Sequence, residues 1–355
     1  VTTVLFVAPH LAYSGLARRL AMLAVHLPRD RFATHVIVLG GPSPFGRALR
    51  NAGIAVTELG WRRPLDVRPL AALRRVAGEL RPDVVHAWGR AGMQAALAAG
   101  LALPRQLVVS SVLPPVGEPG WLGRRLVKSI GAVIAFGRAE ADRYRRLGVS
   151  PARLTEAPLA HDPAWPATAS APTTSDNARS ILCVGPIVGH KGFRDAVWAF
   201  DILLMLYDDL RLVIAGDGPD RARVEAFTRV TGTYRCVRCV GPVDDLTPYR
   251  LGATVAWAPG RAGGVQGALE AMSAGLPVVA ARAACLAEVV IPGETGFVTA
   301  PGDKVDIARQ TRRLLEDEAL RHAFGEAGRR RATEMFPPGP MASACADAYA
   351  RRAAR

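Results

Sequence analysis

Lysine is nearly absent from this 355-residue chain: only Lys128, Lys191 and Lys304 stand among 45 basic residues. An arginine excess of that size reflects coding bias more than choice at each site, so every retained lysine carries some information. Aromatic residues are scarce at 6% and no run interleaves them with basic residues. That argues against the stacking platform of a nucleic-acid binder, and no nucleic-acid partner is expected. The five cysteines (Cys183, Cys236, Cys239, Cys285 and Cys345) are odd in number and widely spaced, which argues against a disulfide framework and suits a reducing compartment. Cys236 and Cys239 form a C-x-x-C, but within RCVRCVG, a strand-like run in which residues three apart point to opposite faces. Structural free thiols are expected there, not a metal or redox pair. No apolar run approaches the ~18 residues of a membrane span. The opening VTTVLFVAPH has no basic region ahead of its apolar residues and reads as a first strand, so a cytoplasmic location is expected. There is no H-E-x-x-H, G-x-S-x-G or full P-loop.

Half of the residues are apolar and 21% are charged. A core is readily built from that composition, and the length suits two domains. The net charge of +14 is unevenly spread. Residues 1–176 hold 22 basic and 11 acidic side chains, whereas residues 177–355 hold 23 and 20. Much of the basic excess sits in arginine pairs such as Arg18-Arg19, Arg62-Arg63, Arg74-Arg75 and Arg124-Arg125. The first half therefore faces whatever anionic partner exists.

Short β-branched runs alternate with helical periodicity. In the first half VLFVA, THVIVLG, IAVTEL, DVVHAW, QLVVSS and AVIAF are strand-like, with amphipathic stretches at 16–27, 69–80 and 138–147 and a short Ala-rich helix at 93–104. Residues 161–178 are rich in Pro, Ala, Ser and Thr without a period, which marks a linker. The alternation restarts with SILCVG, RLVIAG, RCVRCVG, TVAWAP, LPVVAA and TGFVTA, and a last helix is expected at 341–353 beyond Pro-Pro-Gly-Pro. The fold class is α/β, with two doubly wound, Rossmann-like domains facing each other across a cleft: 1–160 and 179–340.

Several strand-to-helix turns could hold an anion. His190-Lys191-Gly192 opens a helix whose N-terminus carries partial positive charge, to which Lys191 adds a full one. It could equally be a solvated surface turn. In VAWAPGRAGGVQGALEAMSAGLPVVA, at 255–280, a glycine-rich loop leads into a helix. Gly263 and Gly264 would let backbone N–H groups approach an anion. Glu270 would lie about 9 Å further along that helix, suited to a sugar hydroxyl. A purely structural turn with a solvated glutamate is the alternative. Asp217-Gly218-Pro219 and Ser14-Gly15 are weaker turns of the same kind, and His10, His86 and His161 fall in or beside loops as candidate bases.

The second half resembles the family-4 retaining glycosyltransferases of the GT-B fold. The resemblance is carried by VGPIVGHKGFRDAVWAF, LVIAGDGPDRARVEAF, VGPVDDLTPYRLGATVAWAPGRAGGVQGALEAMSAGLPVVA and AEVVIPGETGFVTAPGD, in order over roughly 180–335. The first half matches more loosely, through the strand–Ser14-Gly15–helix opening and DVVHAW. The resemblance implies an acceptor domain, a nucleotide-sugar donor domain, metal-independent transfer with no cofactor, and a last helix that returns to the first domain. It implies that Lys191 contacts the donor diphosphate, that Gly185, Gly263, Gly264 and Val265 border it, and that Glu270 binds the ribose. Gly15 would border the reacting phosphate from the other domain. Three family positions differ. Ala262 stands where a glutamate contacts the donor sugar, Pro186 where an arginine is common, and about Val112 where a histidine is expected. Arg194 and Arg261 are candidate substitutes for the missing cation. The resemblance implies a nucleotide-sugar donor as partner, and the basic excess of the first half favours an anionic or lipid-linked acceptor with peripheral contact to an anionic membrane. A degenerate GT-B protein that binds a nucleotide, glycan or partner without turnover is the alternative.

Overall fold

The computed structural model describes residues 1–11, 14–61, 68–101, 107–163, 178–243 and 245–354. The chain forms two compact units. One comprises Val1–Ala160 with Pro337–Arg355, the other His161–Phe336. Arg62, Arg63 and most of the 161–178 segment lie outside the described residues.

The first unit runs β1 (Thr2–Ala8), α1 (Gly15–His26), β2 (Phe32–Val38), α2 (Pro44–Asn51), β3 (Ala55–Glu58), α3 (Arg68–Leu80) and β4 (Val84–Trp88). It continues with α4 (Gly89–Ala98), β5 (Val108–Ser110), α5 (Trp121–Ser129), β6 (Ala132–Phe136), α6 (Arg138–Arg146) and β7 (Leu154–Ala157). The seven strands are ordered β3-β2-β1-β4-β5-β6-β7. The pairing is parallel throughout. Strands buried on both faces need continuous apolar runs, as β1, β4 and β6 have. Capping side chains set the helix starts: Ser14 Oγ accepts from Ala17 N at 3.2 Å and Ser43 Oγ from Gly46 N at 3.2 Å.

The second unit runs β8 (Arg179–Val184), α7 (Phe193–Leu204), β9 (Leu210–Ala215), α8 (Arg221–Val230), β10 (Val237–Gly241) and α9 (Thr247–Leu251). Then come β11 (Val255–Ala258), α10 (Val265–Ser273), β12 (Val278–Ala281), β13 (Gly296–Thr299), α11 (Lys304–Glu316) and α12 (Glu318–Met335). Its parallel sheet is ordered β10-β9-β8-β11-β12-β13. Asp303 and Asp317 cap α11 and α12 through their carboxylates. Ile181, Phe200, Leu212, Val255 and Leu314 are fully buried in its core.

The last helix, α13 (Pro338–Ala353), packs in the first unit against α1 and β7. Its start corrects the sequence expectation of 341. Pro338 sits at the first helical position, where a missing N–H costs nothing, so the proline run begins the helix instead of delaying it. The Ala-rich helix likewise begins earlier, at Gly89, and ends at Ala98 ahead of Gly100, whose φ is +65°. The sequence reading missed β7, a four-residue edge strand with polar positions, and the helices α2, α5 and α9.

His86 is also corrected: it lies inside β4 and is fully buried. Its Nδ1 is 2.6 Å from the Tyr349 hydroxyl of α13 and its Nε2 is 2.7 Å from Ser110 Oγ of β5. Burial lowers its pKa to about 3. This is a neutral structural histidine that ties the returning helix to the sheet. No described helix is long and apolar enough to cross a membrane.

Candidate functional site

In an open parallel sheet, ligands bind beyond the carboxyl ends of the strands where the strand order reverses. In the second unit that point lies between β8 and β11. After β8 the chain makes a 3₁₀ turn, Gly189–Lys191, and Gly192 in the left-handed region opens α7. After β11 it passes through Pro259–Gly264 into α10. The two loops touch backbone to backbone. A Cβ on Gly192 would stand 2.6 Å from the Pro259 carbonyl oxygen, and one on Gly260 would stand 2.8 Å from that of His190. Arg261 N donates to His190 O at 2.9 Å and locks the crossing. Glycine at both positions thus sets where Lys191 sits relative to α10.

Gly263 and Gly264 have φ of +70° and +87°. That double left-handed turn starts α10 with no side chain capping its first amides. The Lys191 ammonium lies over Gly263, where an added Cβ would collide with it. Among the described residues Lys191 has no hydrogen-bond or ion-pair partner, and burial lowers its pKa. An unneutralised cation at an uncapped helix N-terminus is an arrangement that can hold an anion.

Glu270 lines the same pocket from α10 and is only 4% exposed. Leu182, Val184, Ala256 and Ala258 form apolar walls, and Arg250 lines it from α9. One end therefore suits a diphosphate, and the buried carboxylate suits a hydroxylated ring beyond it. Apolar walls suit a flat base. Among the described residues no three His, Cys, Asp or Glu side chains are grouped as around a metal ion.

The other expected positions are dispersed. Gly185 has φ +140° and its carbonyl packs under Gly216, so it shapes the loop after β8 without lining the pocket. Val265 is the buried first residue of α10. Ala262 lines the pocket as a small apolar surface, while Pro186 does not. Arg194 is exposed and its guanidinium stacks 4.7 Å over Phe227 of α8, away from the lining. Arg261 is exposed, and its side chain extends towards Gly302. In the first unit Gly15 opens α1 after the Ser14 cap, and Val112 is buried with its N–H bonded to Tyr144. His161 is buried beside α10, with Nε2 2.9 Å from Ser273 Oγ, so the second unit is already packed at the first residue of the expected linker. Cys285 donates a weak 3.6 Å bond to Gly263 O under the same loop. Arg250 and Cys285 were not singled out by the sequence reading. Arg250 is one arginine among many, and only its place on the short helix ahead of β11 distinguishes it.

Comparison with known proteins agrees in both units. Residues 168–331 match the family model for glycosyl transferases group 1, and residues 13–165 match that for glycosyltransferase family 4. A glycogen synthase of Mycobacterium tuberculosis is 29% identical over 325 residues, covering 86% of this chain and 73% of that protein. A GDP-mannose-dependent phosphatidylinositol monomannoside mannosyltransferase of the same species is 30% identical over 224 residues, 60% of this chain and 57% of its own. The solved structure of Anabaena Alr3699/HepE in complex with UDP and glucose aligns over 99% of this chain and 100% of its own, with a TM-score of 0.81 at 18% identity.

Proposed function

The chain belongs to the family-4 glycosyltransferases of the GT-B fold, and on that premise we propose that it moves a hexosyl-type sugar from a nucleotide-diphosphate sugar to an acceptor with retention of configuration. The second unit would hold the donor. One observation carries the reading: Lys191, half-buried and without a hydrogen-bond or ion-pair partner among the described residues, stands over the uncapped start of α10, with Glu270 in the same pocket. The departing diphosphate would be stabilised by Lys191 and the α10 amides, which is largely electrostatic work and needs no metal. Glu270 would accept from the ribose hydroxyls. Arg194 and Arg261 are proposed to act only through their charge, since neither side chain lines the pocket. The acceptor is proposed to be anionic or carried on an anionic membrane, in polysaccharide or glycolipid synthesis. The excess of basic residues in the first half and the lipid-linked acceptor in the mannosyltransferase relative's name support this.

Calorimetric titration of UDP, GDP and their sugars tests the donor site. Lys191→Ala is expected to weaken binding roughly 10- to 100-fold, the loss of a charge-assisted contact. Glu270→Ala is expected to weaken nucleoside diphosphate binding but not inorganic diphosphate binding. Arg194→Ala and Arg261→Ala should each weaken it by less than Lys191→Ala does. Binding left intact by both Lys191→Ala and Glu270→Ala would overturn the assignment. Nucleotide binding with no donor hydrolysis and no transfer across a broad acceptor screen would return the non-catalytic alternative.

A further inference from the structure

The nine-residue helix α5 carries an exposed surface of a particular kind. Its sequence is WLGRRLVKS. Gly123, Leu126 and Val127 turn towards the first unit, and Val127 is buried. Trp121, Arg124, Arg125 and Lys128 are all exposed. Their spacing of i, i+3, i+4 and i+7 places them on one face of the helix. Trp121 is 71% exposed, which is unusual for the largest apolar side chain in a folded domain. Val116, in the loop leading to α5, is also exposed. One acid interrupts the basic face: Glu118 lies 3.8 Å from the Arg124 guanidinium, and both are half-exposed.

We infer that this face of α5 with the Val116 loop docks the first unit on an anionic lipid surface. The tryptophan would sit at the headgroup level and the three cations against the lipid phosphates. Several features select a bilayer over other polyanions. A single aromatic on a convex helix is no platform for stacked bases. The basic side chains follow the tryptophan along one exposed helix face instead of lining a groove. The loop leaves the carboxyl end of β5, the edge of a parallel sheet at which ligands bind, so docking here would bring a lipid-borne acceptor to that edge. The inference rests on the proposed membrane-borne acceptor, but not on the donor site.

Co-sedimentation with vesicles tests it without any nucleotide. The protein should partition onto phosphatidylglycerol–phosphatidylcholine vesicles at low salt and not onto pure phosphatidylcholine. Replacing Arg124, Arg125 and Lys128 by glutamine should lower the partition coefficient roughly a hundredfold, at about fivefold per charge. Trp121→Ala should lower it roughly tenfold, and that loss should persist at high salt. Both variants should unfold at the wild-type temperature and bind UDP or GDP as the wild type does. Arg74→Gln with Arg75→Gln, two exposed charges on α3, is the control and should change partition by less than a tenth of the α5 effect. The inference is overturned if that control loses as much as the α5 variants, since diffuse charge would then explain binding. It is also overturned if the wild type ignores acidic vesicles, or if α5 governs binding to an oligonucleotide or acidic peptide but not to vesicles. Failure of nucleotide binding in every variant would strike the donor reading instead and leave the vesicle result standing.

Discussion

Each of the three lysines has a distinct place. Lys304 pairs with Asp195 at 3.5 Å and lies over the Trp198 ring, Lys128 belongs to the basic face of α5, and Lys191 lines the pocket without a hydrogen-bond or ion-pair partner among the described residues. Burial holds the Lys191 pKa below its ordinary value of 10.5, and an arriving diphosphate would raise it again. Diphosphate binding is thus coupled to protonation of Lys191. Affinity should fall as pH rises through the depressed pKa, earlier than an ordinary lysine would require, and the slope should vanish in Lys191→Ala. Titration calorimetry from pH 7 to 10 in buffers of different ionisation enthalpy checks this. His86 has the opposite significance, for stability. Its folded pKa of about 3 lies below the ordinary 6.5, so the unfolded state binds more protons between those values. The stability it permits is complete above pH 6.5 and is lost as pH falls towards 3, with about 2 kcal/mol gone by pH 5. Denaturant midpoints of the first unit's transition at pH 7 and 5 should show that loss, and His86→Gln should remove most of the pH dependence.

At the scale of elements, the site depends on two loops that meet only because glycine occupies both sides. Gly260→Ala would place a methyl 2.8 Å from the His190 carbonyl and 2.9 Å from Lys191 Cα. Backbone must then move, and the expected cost is roughly 2 kcal/mol of stability together with weaker nucleotide binding. Gly263→Ala meets a left-handed φ and the Lys191 ammonium at once. It should leave thermal stability within a few degrees, because the lysine is the movable partner, yet weaken diphosphate binding about as much as Lys191→Ala. A combined thermal and calorimetric series separates the two cases. The main strands and long helices were legible because burial on both faces demands unbroken apolar runs and exposed helices keep a polar stripe. The edge strand β7, with Thr155 and Glu156 in its four residues, lacked that signature. The short α5 was hidden because its outward face carries a tryptophan, so its pattern resembles neither a core helix nor a solvated one.

For the whole molecule, the returning helix makes the first unit discontinuous in sequence. Tyr349, Met341 and Cys345 are fully buried there. Tyr349 also contacts Phe6 and Phe32 edge-on or tilted, as well as the His86 ring. Tyr349→Phe keeps that packing but removes the hydroxyl facing His86 Nδ1, and should cost about 1–3 kcal/mol in the first unit alone. The nucleotide titration, which reads the second unit, should be unchanged. The basic excess of residues 1–176 belongs to the unit that carries α5, so whole-chain charge and local surface point to the same anionic partner.

The sequence by itself determined the α/β class, the two doubly wound sheets, the glycine-rich turn before α10, and Lys191 and Glu270 as residues to watch. These follow from local periodicity and from residue chemistry at fixed spacing, which one strand or one helix suffices to express. Only the tertiary structure decided that Lys191 has no hydrogen-bond or ion-pair partner among the described residues, that Arg250 and Cys285 share its neighbourhood, that Arg194 is engaged by Phe227, and that His86 is a buried link to Tyr349. Burial and partnership are properties of what folds against a residue from elsewhere in the chain. His86 and Tyr349, 263 positions apart, have no sequence pattern that connects them.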